Sequence, residues 1–333
     1  SKLLSKRTLA TETGVSTITV EHAYALLQEE GYIESRERSG YFVIFNTSDG
    51  FISAMNKERG EDCKTVYNHN SGIEFPFSVL AKTMRRIISD SGEGIFERSP
   101  NSGCLELRTA IQVYLAQSRG IIADTQQIII GSGSEYLYSQ LIELLGRDCI
   151  YAIESPSYKK IEQVYTAADV KIKKLPLGQN GIESSALQDC DADVLHISPY
   201  RSYPSGVTAT ASKRHEYLKW AEKGSRYIIE DDFESEFSVS TKNEETLFCH
   251  SAKDNVIYMN TFSKTVTSSL RVGYMVLPEK LSAEYKERLG FYSCTVPTYI
   301  QLVLAELINN GDFERHINRV RRKKRKQIAE KTV

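Results

Sequence analysis

The chain has no surplus of either charge, no apolar run long enough to span a membrane and no closely paired cysteines, and each shortage removes a class of function. Lys plus Arg number 42 against 43 Asp plus Glu, a net charge of −1, so the chain as a whole is neither a basic nucleic-acid coat nor an acidic tail. Without a long apolar run, no membrane partner is expected and a cytoplasmic location is. The six cysteines, Cys63, Cys104, Cys149, Cys190, Cys249 and Cys294, include no Cys-x-x-Cys pair, which reads as scattered reduced thiols. The six histidines show no ligand spacing, so no metal is expected. A hydrophobic share of 41% over 333 residues argues against disorder and leaves room for one small and one large domain.

What is present is a set of polar turns at strand ends. Val256-Ile257-Tyr258-Met259 reads as a buried strand, and Arg271-Val272-Gly273-Tyr274-Met275-Val276-Leu277 as the next. Between them stands Thr261-Phe262-Ser263-Lys264. A lysine in such a turn can meet an aldehyde while the hydroxyls of Thr261 and Ser263 and the guanidinium of Arg271 hold a phosphate. Taken alone, Lys264 is a solvated loop lysine. Upstream, Tyr227-Ile228-Ile229 runs into Glu230-Asp231-Asp232-Phe233, placing carboxylates at the carboxyl edge of a sheet, where α/β proteins bind ligands. Asp231 can keep a pyridine nitrogen protonated; by itself it is a solvated strand-end acid.

Further upstream, a strand over 126–130 enters Gly131-Ser132-Gly133-Ser134, and Glu135 to Leu145 carries helical apolar spacing at Leu137, Leu141, Leu144 and Leu145. Amides at that helix start and the Ser134 hydroxyl suit a phosphate, although glycine-rich turns are common for purely conformational reasons. Tyr158 offers a ring to stack on a cofactor, and as a lone aromatic reads as core. A lysine, a ring-nitrogen acid and a phosphate cradle in this order point to pyridoxal 5'-phosphate.

The first 45 residues read differently. Ser5 caps a short helix through Thr13 with Leu9 and Ala10 facing inward, Gly14-Val15 turns the chain, and Ser16 caps a second helix. That helix carries Ile18, Val20, Ala23, Tyr24 and Leu27 toward a core, and Gly31 stops it. Tyr32 to Ser35 and Tyr41 to Ile44 flank the loop Arg36-Glu37-Arg38-Ser39-Gly40 as a hairpin wing. These helices and the wing resemble the winged helix-turn-helix of the GntR family, a resemblance that implies that Ser16, Thr17 and Thr19 would face a DNA major groove, while Lys6, Arg7, Arg36 and Arg38 could meet phosphates. Residues 1–45 hold five Lys plus Arg against six Asp plus Glu, so no net basic field drives association. A winged module used for protein contacts is the other reading.

These motifs resemble two known families. The stretch from about Ser71 onward, with Gly103-Cys104-Leu105-Glu106-Leu107-Arg108 and the Pro-x-Gly-like loop Pro199 to Gly206, resembles the α/β fold-type I, aspartate aminotransferase-like proteins. The segment Leu3 to Ala10 with Gly14-Val15-Ser16 and Gly31-Tyr32-Ile33 resembles the winged helix-turn-helix of the GntR family. Joined through a polar connection over 46–70, the two are similar to the MocR regulators, with a winged domain at 1–45 and an aminotransferase-like domain at 71–333. That resemblance implies a homodimeric transcription factor. Pyridoxal phosphate, or an amino compound reacting with it, would change how two DNA-binding modules meet paired half-sites in double-stranded DNA. It makes Lys264 the Schiff-base lysine, Asp231 the partner of the pyridinium, Ser134, Thr261 and Arg271 the phosphate ligands, and Tyr158 the stacking ring.

The sequence also departs from the enzyme pattern. Phe233 stands where aminotransferases carry a tyrosine, Tyr203 where they carry an asparagine, and Glu135 replaces a glutamine beside the phosphate. A phenylalanine cannot hydrogen-bond the cofactor's ring oxygen, and a carboxylate repels a phosphate dianion. Lys160 stands where an arginine contacts an effector carboxylate, keeping the charge but losing the fork; a surface lysine fits equally. Thr17 takes the place of an arginine at the start of the recognition helix. The expectation is a sensor, with a working aminotransferase bearing a DNA-binding module as the alternative and a cofactor-free dimerisation domain as a third. The basic run Arg319 to Lys326, with Ile317, Val320 and Ile328 at helical spacing, reads as a structural helix with a solvated face. Both ends read as cut, so a fragment of a longer protein is expected, lacking the first winged-domain helix and the C-terminal subdomain.

Overall fold

The computed structural model describes residues 1–37, 39–44, 75–232, 235–238 and 245–331. Arg38, Phe233 and the connection at 46–70 lie outside them, as do the proposed domain boundaries. The chain divides into two compact units, Ser1–His69 and Asn70–Val333.

In the first unit, α1 (Lys6–Thr13) starts where Ser5 Oγ accepts from Thr8 N and ends at Gly14, whose φ of 72° suits a left-handed cap. The second helix, α2 (Thr17–Glu29), starts in the same way, with Ser16 accepting from Thr19 N. The hairpin pairs β1 (Ile33–Arg36) with β2 (Gly40–Val43), Ile33 facing Val43 and Ser35 facing Tyr41. Ala10, Val20, Tyr24 and Ile33 close a small core, with Leu3, Leu9, Leu27, Tyr41 and Val43 packed around it. Two expected core residues are corrected: Ile18 is 78% exposed and Ala23 is also exposed. Val20, Tyr24 and Leu27 define the buried stripe, and Ile18, two residues from Val20, lies about 200° away around the helix.

Among the described residues the second unit is a three-layer α/β fold around an eight-stranded sheet. Its strands are β3 (Ile128–Gly131), β4 (Ile150–Ser155), β5 (Lys171–Gly178), β6 (Gly181–Ile182), β7 (Val194–Ile197), β8 (Tyr227–Asp231), β9 (Val256–Thr261) and β10 (Gly273–Val276). They lie in the order β3-β10-β9-β8-β7-β4-β5-β6. The run β5, β4, β7, β8, β9 is parallel, while β10 is antiparallel to both β9 and β3. The carboxyl ends of β3, β4, β7, β8 and β9 therefore share one edge.

Helices cover both faces: α3 (Phe77–Ser91), α4 (Leu105–Arg119), α5 (Ser134–Leu145), α6 (Lys159–Ala167), α7 (Ser184–Gln188), α8 (Ala211–Ala221), α9 (Leu247–His250), α10 (Glu279–Arg288), α11 (Thr298–Asn309) and α12 (Asp312–Lys331). Strand alternation divides the core. Ile128, Ile130, Tyr258, Tyr274 and Val276 join α4, α11 and α12 on one face, and Ile129, Ile257, Met259, Met275 and Leu277 join α5, α6 and α10 on the other. Burial on both faces explains the unbroken apolar runs in the sequence.

Several boundaries and one face differ from the sequence reading: β8 and β9 each run two residues further than expected, to Asp231 and Thr261. Residues 125–127 form a 3-10 turn in place of a strand start, because the Asp124 carboxylate accepts from Gln126 N while the Gln127 side chain accepts from Asp124 N. Arg271 and Val272 lie outside β10, Arg271 holding φ at 50° after a 3-10 turn over 268–270. Leu277 follows β10's last residue. Ile317 and Val320 are buried on α12 as expected, but Ile328 is 52% exposed. The five described cysteines are free thiols. Among the described residues no helix is long and apolar enough to cross a membrane.

Candidate functional site

The shared strand edge collects the polar turns. Beyond β9, Phe262, Thr265 and Val266 are buried, Phe262 N donates to Val272 O and Val266 N to Phe262 O. These anchors bend the chain so that Ser263 is half-buried and Lys264 stands exposed at the tip. Thr261, at the end of β9, is buried and faces Gly273 of β10. Gly273 also faces Gly131, which brings the lysine turn beside the glycine turn of β3.

Gly133 begins α5 with φ of 96°, and a Cβ there would sit 2.9 Å from Nη2 of Arg271. The guanidinium thus lies against the backbone at a helix N-terminus, where first-turn amides favour an anion. Glu135 occupies that place as well. Its Oε2 accepts from Arg271 and its Oε1 from Lys160. Partial burial raises the Glu135 carboxyl, and the hydrogen bonds from Lys160 and Arg271 outweigh it, holding the group below its ordinary range.

In Glu230-Asp231-Asp232, alternation along β8 sends the acids to opposite faces. Glu230 accepts from Tyr200 OH at 2.6 Å and from the amides of Leu247 and Phe248 at 2.8 and 2.9 Å. Asp232 accepts from Tyr258 OH at 2.7 Å and meets Arg119 Nε at 3.3 Å. Only Asp231 turns toward α5. There Tyr138 donates to its Oδ2 at 2.5 Å, and His196 Nε2, without a hydrogen bond among the described residues, faces the same oxygen at 3.5 Å. His196 Nδ1 lies 2.7 Å from Tyr165 OH. Burial, then the neighbouring Asp231 charge, pushes the Tyr138 phenol far up, so it stays a donor.

Two tyrosines mark the far side. Tyr158 immediately precedes α6 and lies edge-on to Tyr203, ring centroids 6.0 Å apart. The loop carrying Tyr203 is clasped from below by Glu154 at the end of β4, which accepts from Ser202 Oγ at 2.6 Å and Ser198 N at 3.3 Å. The structure therefore gathers Glu135, Lys160 and Arg271 in one contact group, while the Ser134 hydroxyl beside them meets Tyr138. The sequence reading missed Tyr138, His196, Glu154 and Ser202. Tyr138 stands four residues after Ser134 and meets its hydroxyl, a spacing that could have marked it.

In the first unit Thr17 and Arg7 are exposed. The Ser16 and Thr19 hydroxyls bond each other at 2.8 Å, Lys6 pairs with Glu21 at 2.6 Å, and Arg36 pairs with Glu34 and stacks 4.7 Å from the Phe42 ring centroid.

Residues 1–43 match the family described as bacterial regulatory proteins, gntR family, and residues 65–332 match aminotransferase class I and II. The uncharacterized HTH-type transcriptional regulator YdeL of Bacillus subtilis is 34% identical over 98% of this chain and 73% of its own. The HTH-type pyridoxine biosynthesis transcriptional regulator PdxR of Corynebacterium glutamicum is 27% identical over 99% of this chain and 74% of its own. Among solved structures, an archaeal alanine:glyoxylate aminotransferase superposes with a TM-score of 0.67 at 20% identity, over 73% of this chain and 62% of that one, a likeness of fold. This chain thus spans less than two thirds of that enzyme.

The aminotransferase class I and II fold binds pyridoxal 5'-phosphate, and the residues here fit it. Gly133 leaves room only for the Arg271 guanidinium, and buried Asp231 is oriented by a phenol that cannot readily ionise. Arg271, Ser134 and Thr261 would hold the phosphate, Asp231 the ring nitrogen, Tyr158 the ring face and Lys264 the aldehyde carbon. GntR-type helix-turn-helix regulators bind DNA. The chain belongs to the MocR type of helix-turn-helix transcriptional regulators, in which a GntR-family region precedes an aminotransferase class I and II domain.

Proposed function

We propose that the protein reports the supply of pyridoxal phosphate, or of an amino compound that meets it, by changing how a pair of winged helices holds two DNA half-sites. When bound, the cofactor supplies an electrophilic aldehyde carbon and an electron-withdrawing ring. Asp231 keeps a proton on the ring nitrogen, Tyr138 fixes the orientation of Asp231, and Lys264 presents its amine at the turn beyond β9. Tyr158 and Tyr203 cover the site from the β4 and β7 ends. The observation that carries this reading is the joining, in one chain, of a Ser16-capped recognition helix to a site that keeps Lys264, Asp231 and Arg271. Two copies are proposed, since paired half-sites require paired heads, acting in the cytoplasm on DNA.

Tyr203 and Glu135 support sensing over turnover, because each replaces a group the enzyme pattern uses at the ring or the phosphate. The retained Lys264 and Asp231 favour a second reading, a working aminotransferase with a DNA-binding module. An absorbance titration with pyridoxal phosphate on the protein and its Lys264→Ala variant, followed by a panel of amines, separates the two. Lysine-dependent absorbance that an amine alters without forming a keto acid supports the sensor. Catalytic release of keto acid would replace it with the enzyme.

A further inference from the structure

Glu135 stands where the phosphate ligands converge. It lies in the first turn of α5, with one oxygen on Arg271, 136 residues away in sequence, and the other on Lys160, 25 residues away. Each oxygen has its own cation, so a single carboxylate ties the phosphate guanidinium to the start of α6. The cradle already holds an anion.

We propose that Glu135 is a built-in competitor of the phosphate, which a phosphate monoester must displace from Arg271 in order to bind, and that this residue sets how tightly the site selects phosphorylated ligands. The inference rests on the cofactor reading above. A phosphate monoester carries between one and two negative charges at neutral pH. On entering, it takes the guanidinium and the first-turn amides, and Glu135 keeps only its bond to Lys160. Breaking one ion pair and leaving two anions adjacent at the helix start offsets part of the gain. The same amides with an uncharged glutamine would hold the phosphate without that opposition. Weak, exchangeable binding suits a protein whose occupancy must follow ligand concentration. The exchange also leaves Lys160 paired throughout, which makes it a poor clamp for an effector carboxylate.

The test is an absorbance or fluorescence titration of the protein and its Glu135→Gln variant with pyridoxal phosphate and, separately, with pyridoxal, which lacks the phosphate. The expected result is tighter binding of pyridoxal phosphate by Glu135→Gln, on the order of tenfold, with pyridoxal unchanged. Inorganic phosphate should likewise compete better against pyridoxal phosphate in the variant. A disturbed fold would weaken binding, so a gain is not produced by structural damage. Equal or weaker binding of pyridoxal phosphate by the variant overturns the role of Glu135 and leaves the cofactor reading intact. An equal gain for pyridoxal overturns it too. If neither protein takes pyridoxal phosphate, the cofactor reading and this inference fall together.

Discussion

Tyr138 on α5 and Asp231 at the end of β8 lie 93 residues apart in sequence, yet the phenol donates to the carboxylate at 2.5 Å in a buried setting. One helix therefore carries both the proposed phosphate cradle, in its first turn, and the donor that orients Asp231, the acid proposed for the ring nitrogen, in its second. On that proposal any shift of α5 would move both ends of the site together.

Removing that donor should be felt locally. Tyr138→Phe keeps the ring packing against His196 but leaves Asp231 Oδ2 without its hydrogen bond. We expect a loss of about 1 to 3 kcal/mol in urea unfolding, together with weaker pyridoxal phosphate absorbance. Unchanged stability and unchanged affinity would show that Asp231 is held by other means.

Gly133→Ala tests the cradle from the opposite side. A methyl at φ of 96° is strained, and it meets Nη2 of Arg271 at 2.9 Å. The variant should lose more than about 1 kcal/mol of stability and bind pyridoxal phosphate more weakly than pyridoxal, relative to the parent protein. Parallel loss for both ligands would place the damage outside the phosphate contact.

Glu154 gives a pH dependence with a defined sign. Burial raises its carboxyl, despite the hydrogen bonds from Ser202 and Ser198 N, from 4.5 to about 7. The folded state therefore holds this proton more tightly than the unfolded chain does. The contribution is fully present below about 4.5 and is lost as pH rises through about 7. At 1.36 kcal/mol per unit it amounts to about 3 kcal/mol. Glu154→Gln, which cannot ionise, should flatten the fall in unfolding free energy between pH 5 and pH 8. An unaltered slope would mean the clasp on the Tyr203 loop does not titrate.

Ser16→Ala removes the cap of the recognition helix, where Ser16 Oγ takes the Thr19 amide at 3.1 Å. A cost of about 1 kcal/mol is expected in the thermal unfolding of the first unit, with a matching fall in DNA affinity by anisotropy. Loss of DNA binding without any loss of stability would instead assign the hydroxyl to direct contact with the operator.

Much of the site was legible because its parts are local. Strand, polar turn and helix follow one another within a few residues at Gly131 to Ser134, and strand, polar turn and strand at Thr261 to Gly273, and turn chemistry is written in short spacings. The helix starts at Ser5 and Ser16 were readable for the same reason. Ile18 was not, since several apolar residues on a thirteen-residue helix fit more than one stripe, and only the position of the hairpin decides which stripe is covered. Residues 126 and 127 read as strand because their side chains do not reveal that Asp124 would draw the backbone into a tight turn.

By itself the sequence determined the elements, the buried sheet and the edge at which ligand groups gather, because unbroken apolar runs and capped turns are properties of neighbouring residues. With β8 running through Asp231, strand alternation turns Asp231 away from Glu230 and Asp232. Only the tertiary structure decided which face holds α5, and so which of the three acids meets Tyr138. It alone placed Glu135 between Lys160 and Arg271. Those pairings join residues on separate elements, and no local pattern encodes a contact that exists only once the sheet has closed and the helices have docked on it.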